Sequence, residues 1–122
     1  MAKSFQHILV PLDFTDKNAA ALNIASELAA QNQARVTLLH VIETIEQLLD
    51  DEIDQFYAKL EANAEARLAD AAEPFAHMGI SPSREIVYGR RGAEILRYSI
   101  EQEVDLVVLS SHKIDLKQPA QG

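Results

Sequence analysis

Two short apolar runs in this 122-residue chain end abruptly in side chains that can bind or exchange protons. Ile8-Leu9-Val10-Pro11-Leu12 ends in Asp13-Phe14-Thr15-Asp16, and Leu106-Val107-Val108-Leu109 ends in Ser110-Ser111-His112-Lys113. A carboxylate accepts hydrogen bonds, a hydroxyl both donates and accepts, and an ammonium donates to anions. Runs this short and this uniformly apolar read as strands buried on both faces, the pattern of a parallel sheet. In open sheets of that kind, ligands bind beyond the carboxyl ends of the strands. Asp13 is therefore placed as a ligand contact, and Ser110, Ser111 and His112 are placed on the other side of the same crevice.

Other chemistry is sparse. There is no cysteine, which excludes a disulfide framework, a thiolate nucleophile and thiolate-bound zinc. The four histidines, His7, His40, His77 and His112, lack metal-ligand spacing, and no nucleophile–base pair stands out. No catalytic or metal-binding residue is expected. The acids Glu43, Glu46, Asp50, Asp51, Glu52 and Asp54 are of a type that suggests a cation site, but read in preference as a solvated linker and helix start, where negative charge suits the dipole. Arg90 and Arg91 are of the type that holds an anion, but they follow the third strand, on the far side from the crevice, and read in preference as a solvated turn. Phe56, Tyr57 and Phe75 read as core.

With 11 basic and 19 acidic residues the net charge is −8, which argues against nucleic acid or an anionic membrane as partner. No segment has the apolar core of a signal peptide or the length of a membrane span, so a cytoplasmic protein is expected. A hydrophobic content of 48% can furnish the core of one domain, residues 1–122.

Four strands and three main helices must position the two runs. The first strand covers Ile8 to Leu12, although Pro11 cannot donate to a sheet. Lys17 to Gln31 is helical, with Ala21, Ile24, Ala25 and Leu28 on one stripe and Asp16 or Thr15 as N-cap. Arg35 to Val41 is the second strand. Leu49, Ile53, Phe56, Leu60, Ala64, Leu68 and Ala72 step by three or four along a long amphipathic helix, which Pro74 should kink or end. Arg84 to Tyr88 is a more polar edge strand. Ala93 to Gln102 is a further helix, with a broad apolar face of Ile95, Leu96, Tyr98 and Ile100. Leu106 to Leu109 is the fourth strand, and Lys113 to Gly122 reads as a loop or disordered tail. The β-α-β-α-β-α-β order predicts an α/β fold: an open, doubly wound parallel sheet, strand order 3-2-1-4, with helices on both faces. The switch point then falls between strands one and four.

Val10-Pro11-Leu12-Asp13-Phe14-Thr15 resembles the "V-P-x-D-x-S/T" opening of the universal stress protein family. Thr37-Leu38-Leu39-His40-Val41 resembles its second strand. Gly89 to Leu96 resembles its turn and helix "G-x-x-x-x-x-I-L", and Glu103 to His112 its "x-A-D-L-I-V-M-G-S-R/H". The resemblance implies a stress-response or regulatory protein that is not an enzyme, with an adenine nucleotide, ATP or AMP, in the crevice and Mg only alongside it. Its expected contacts are Pro11, Leu12, Asp13, Thr15, Val41, Leu109, Ser110, Ser111, His112 and Lys113. It also implies a homodimer, with a protein partner as a further possibility.

The family's phosphate loop, G-x-x-G-x9-G-S/T, is not matched. Ser110 and Lys113 stand where its first two glycines would be, and Gly122 falls one residue before the third. Side chains thus occupy positions where bare backbone approaches phosphate. The family's closing helix and fifth strand also have no counterpart in these residues. The alternative reading is a dimeric interaction scaffold of the same family that binds no nucleotide.

Overall fold

A computed structural model describes residues 5–44 and 50–110. Glu46 and Leu49, together with Ser111, His112, Lys113 and the remaining tail, lie outside the described residues. The elements run β1 (His7–Pro11), α1 (Asn18–Asn32), β2 (Arg35–Ile42), α2 (Asp50–Ala71), α3 (Glu73–Ala76), β3 (Ser83–Tyr88), α4 (Arg91–Glu101) and β4 (Leu106–Val107). The strands form one parallel sheet in the order β3-β2-β1-β4, as the sequence predicts.

Every residue of β1 is buried. Ile8, Val10 and Leu12 point to one face, where they meet Leu22, Ala25 and Ala29 of α1, Leu68 of α2 and Phe75 of α3. Leu9, with Leu39 and Val41 of β2, points to the other face and packs against Ile95 and Tyr98 of α4. Two opposed faces covered by helices explain why β1 carries no polar alternation. Pro11 is tolerated because β4 pairs only with Ile8 and Leu9, so the missing donor lies beyond the last β4 partner.

α1 approaches the sheet on alanines: Ala21, Ala25 and Ala29 are buried at four-residue steps. Ile24, expected on this stripe, is 53% exposed, because the close alanine seam shifts the buried arc towards Leu22 and Ser26. Neither Asp16 nor Thr15 caps the helix by its side chain. The Thr15 hydroxyl is engaged by Asp13, and the first helical N–H groups bond backbone carbonyls, Asn18 to Thr15 and Ala19 to Asp16. Of the two expected outcomes at Pro74, a kink or an end, the structure shows an end: α2 stops at Ala71. Pro74 occupies the first turn of the separate helix α3, where a missing N–H costs nothing. Phe75 is fully buried as expected, whereas Phe56 is exposed at the α2 surface, in edge contact with the half-buried Tyr57.

At the amino ends of the strands, the Asp105 carboxylate accepts the N–H groups of Gln6 (2.9 Å) and His7 (3.0 Å). These bonds hold the Asp105 carboxyl below the usual range, with the Gln6 N–H as the chief cause. His7, one residue before the first strand as read from the sequence, is a buried member of β1. Its Nδ1–H donates to the Gln102 carbonyl (3.0 Å), and its Nε2 pairs with the Thr37 hydroxyl (2.8 Å). β4 is shorter than the sequence implies: Leu106 and Val107 pair, Val108 is half-buried, and Leu109 is 58% exposed. Leu96 and Ile100 of α4 are also exposed, since α4 buries only the arc through Ile95 and Tyr98.

These packing differences predict unequal costs in urea denaturation. Phe75→Ala should lose about 3–5 kcal/mol, the range for emptying a buried aromatic site. Ile24→Lys should stay within about 0.5 kcal/mol of the parent.

Candidate functional site

The rim at the carboxyl ends of β1, β2 and β4 is built around a left-handed residue. Phe14 has φ +64°, a conformation uncommon for a bulky side chain, and its N–H donates to the Asn18 Oδ1 at 2.7 Å. The turn breaks the direction of β1 and feeds the chain into α1. Asn18 is buried and bifunctional: its Nδ2–H donates to the Ser110 Oγ at 2.7 Å. One amide therefore ties the turn that follows β1 and Asp13 to the segment leaving β4. The Phe14 ring stacks on His40, with centroids 4.3 Å apart, and the Arg67 guanidinium lies 5.6 Å from the Phe14 centroid. His40 is fixed by its Nδ1–H, which donates to the Leu12 carbonyl at 2.8 Å.

The Asp13 carboxylate is extensively engaged. Its Oδ1 accepts the Thr15 N–H (3.0 Å) and the Thr15 hydroxyl (2.7 Å), and its Oδ2 lies 3.4 Å from the Arg91 guanidinium. Partial burial alone pushes this carboxyl up, but the two Thr15 bonds and the Arg91 charge outweigh burial and hold it at about 2.

Arg91 is thus not in a solvated turn remote from the crevice. Gly89 makes the turn from β3 with φ +145°, and a Cβ there would stand 2.8 Å from the Glu94 Cγ. α4 begins at once and crosses over β2, whose end supplies Glu43. The Glu43 Oε2 accepts the Arg91 N–H at 3.3 Å. Carboxylates from β1 and β2 therefore meet the electropositive start of α4. Reading the sequence placed this arginine by the position of β3, when the crossing of α4 decides where it lies.

Of the other expected contacts, Pro11 and Leu12 are buried at the end of β1, and the Leu12 N–H donates to the Leu39 carbonyl at 2.8 Å. Thr15 is exposed and committed to Asp13. Val41 is buried on the α4 side of the sheet. Leu109 projects to solvent, and Ser110 is half-buried. The Ser110 oxygen accepts from Asn18, and its proton has no acceptor among the described residues. The rim therefore offers a donor hydroxyl at Ser110 and a remaining acceptor position on the Asp13 Oδ2. Each can bond a ligand hydroxyl, one as donor and the other as acceptor. Sequence reasoning missed Asn18 and Arg67 and set Arg91 aside as part of a solvated turn. An Asn three residues past a V-P-x-D-x-T motif, read as a turn residue able to bond backwards, would have signalled the first.

A cavity of about 400 Å³ opens on the other side of Phe14, lined by Leu12, Asn18, Leu22, Arg67 and Ala71 among others. The buried hydroxyl–imidazole pair of Thr37 and His7, only 4% and 2% exposed, lies at the far end of the sheet from this rim.

Two predictions follow from these bonds. Asn18→Ala leaves the Phe14 N–H without its partner and should cost about 1–3 kcal/mol in urea denaturation. Asp13 has a folded pKa below its unfolded value, so its contribution is present above the unfolded pKa and is lost as pH falls through the folded one. Between about pH 5 and pH 2 the parent should lose stability more steeply than Asp13→Asn, as measured by urea midpoints across that range.

A sequence model described as the universal stress protein family matches residues 4–119. The universal stress protein YxiE of Bacillus subtilis is 28% identical over 120 residues, covering 90% of this chain and 81% of that protein. The structure of the universal stress protein UspA from Lactobacillus plantarum is similar at a TM-score of 0.81 and 26% identity, over 99% of this chain and 88% of that one. The universal stress protein from Archaeoglobus fulgidus in complex with dAMP shares the fold at a TM-score of 0.67 and 18% identity, over 86% and 80% of the two chains. A match across nearly the whole sequence, together with the 3-2-1-4 sheet, places this chain in the universal stress protein family.

Proposed function

We propose that this protein is a regulatory member of its family that binds an adenine nucleotide at the rim shared by β1, β2 and β4, without chemical turnover. The observation that carries this reading is the Asn18 bridge, which ties the turn directly after Asp13 to the Ser110 hydroxyl at the switch point. A carboxylate acceptor and a hydroxyl donor suit the hydroxyls of a ribose. The structure of a relative in complex with dAMP supports a nucleoside monophosphate as the ligand class. A stress-response role, a cytoplasmic location and self-association complete the reading. Among the described residues, no helix is long and apolar enough to cross a membrane.

The altered phosphate loop shapes the expected selectivity. Ser110 presents a side chain where glycine would present bare backbone, so the second and third phosphates of ATP gain less here than in a glycine-lined loop. AMP should therefore bind at least as tightly as ATP. The exposed Leu96 and Ile100 of α4 favour a second reading, an interaction scaffold that works without nucleotide.

Calorimetric titration with AMP, ADP and ATP, with Mg present, separates the two. Binding with Kd on the order of 1–100 μM, weakened at least about tenfold in Asp13→Ala, supports the nucleotide reading. An absence of heat at millimolar nucleotide, with the protein folded, overturns it and leaves the scaffold.

A further inference from the structure

The ion pair between Asp13 and Arg91 sits on the atom a ligand would use. Thr15 saturates the Asp13 Oδ1 with two hydrogen bonds, and the Arg91 guanidinium faces the Oδ2 at 3.4 Å. A ligand hydroxyl that bonds this carboxylate must share or displace Arg91. Displacement is local. The Arg91 N–H is held separately by Glu43, so the start of α4 stays in place when the side chain moves. The Arg91 side chain is 43% exposed and, among the described residues, makes no ion pair other than that with Asp13. It can therefore rotate into the crevice mouth at little cost.

Charge decides which ligand profits from that movement. A neutral nucleoside that takes the Oδ2 leaves the guanidinium without an anion, beside a helix N-terminus that already disfavours positive charge. A nucleoside monophosphate provides a new anion as it takes the old one. Arginine matches a phosphate bidentately, and in doing so exchanges one ion pair for a stronger one. We propose that Arg91 is the residue that selects phosphate-bearing nucleosides in this protein, by exchanging the Asp13 carboxylate for the ligand phosphate. In this chain Arg91 thereby takes over part of the anion recognition that a glycine loop performs elsewhere. The inference rests on the nucleotide reading of the site.

The test is calorimetric titration of the full chain, parent and Arg91→Gln, with adenosine and with AMP at low and high NaCl. The parent should prefer AMP to adenosine by about tenfold or more. In Arg91→Gln adenosine should tighten by about two- to fivefold, since no ion pair is broken, while AMP weakens, so that the preference largely disappears. Raising the salt should tighten adenosine binding to the parent and leave the Arg91→Gln variant unmoved, because only the parent has a screened pair to break. Arg91→Lys should keep part of the preference. Binding of both ligands with the same AMP-to-adenosine ratio in parent and Arg91→Gln overturns the role of Arg91 and leaves the nucleotide reading intact. Absence of binding by either ligand to either protein overturns both.

Discussion

The rim depends on one amide. Asn18 accepts from the backbone of Phe14 and donates to Ser110, so a single buried side chain holds a left-handed turn on one strand and the exit of another. A left-handed Phe costs on the order of 1–3 kcal/mol, and such a conformation persists only where its surroundings fix it. Here the fixing groups are the Asn18 acceptor, the His40 ring stacked on Phe14 and the Leu12 carbonyl that orients His40. The strained residue separates two uses of the same loop. Asp13, before it, faces the start of α4, whereas the Phe14 ring faces α2 and the cavity beside Arg67.

Electrostatics follows from the same geometry. In a protein of net charge −8, two of its carboxylates gathered at one rim would repel each other and any phosphate. The start of α4 offsets this. Its exposed N–H groups and Arg91 neutralise Asp13 and Glu43 from the side opposite the Phe14 turn. The turn at Gly89 is short enough for α4 to begin directly over the strand ends, and the glycine is required there by both its dihedral angle and the close approach of Glu94. A residue chosen for backbone shape thus sets the charge of a site two strands away.

The strand order and the positions of Asp13 and Ser110 were legible because they depend on patterns internal to the chain: apolar runs with sharp polar ends, and crossover lengths that force parallel pairing. Arg91 and Asn18 were not, for different physical reasons. The place of Arg91 depends on the angle at which α4 crosses the sheet, which no local pattern encodes. Asn18 looked like an ordinary residue in a first helical turn, and its value lies in a contact 92 positions away in sequence. Ile24 shows the limit of periodicity. It sits at a helical spacing from Ala21, Ala25 and Leu28, yet the small side chains of the alanine seam let the backbone approach and turned the larger residue outward.

β4 makes only two paired contacts with β1, and beyond Val108 the chain is held to the sheet side of the rim by the Ser110 hydroxyl alone among the described hydrogen bonds. One half of the rim is therefore fastened along five β1–β2 pairs, and the other half by a short splint. Mechanical compliance is consequently lopsided: a pull on the chain after Ser110 would peel the hydroxyl away long before it disturbed Asp13. Any partner that grips the segment after β4 thereby has leverage over the rim without touching its acid.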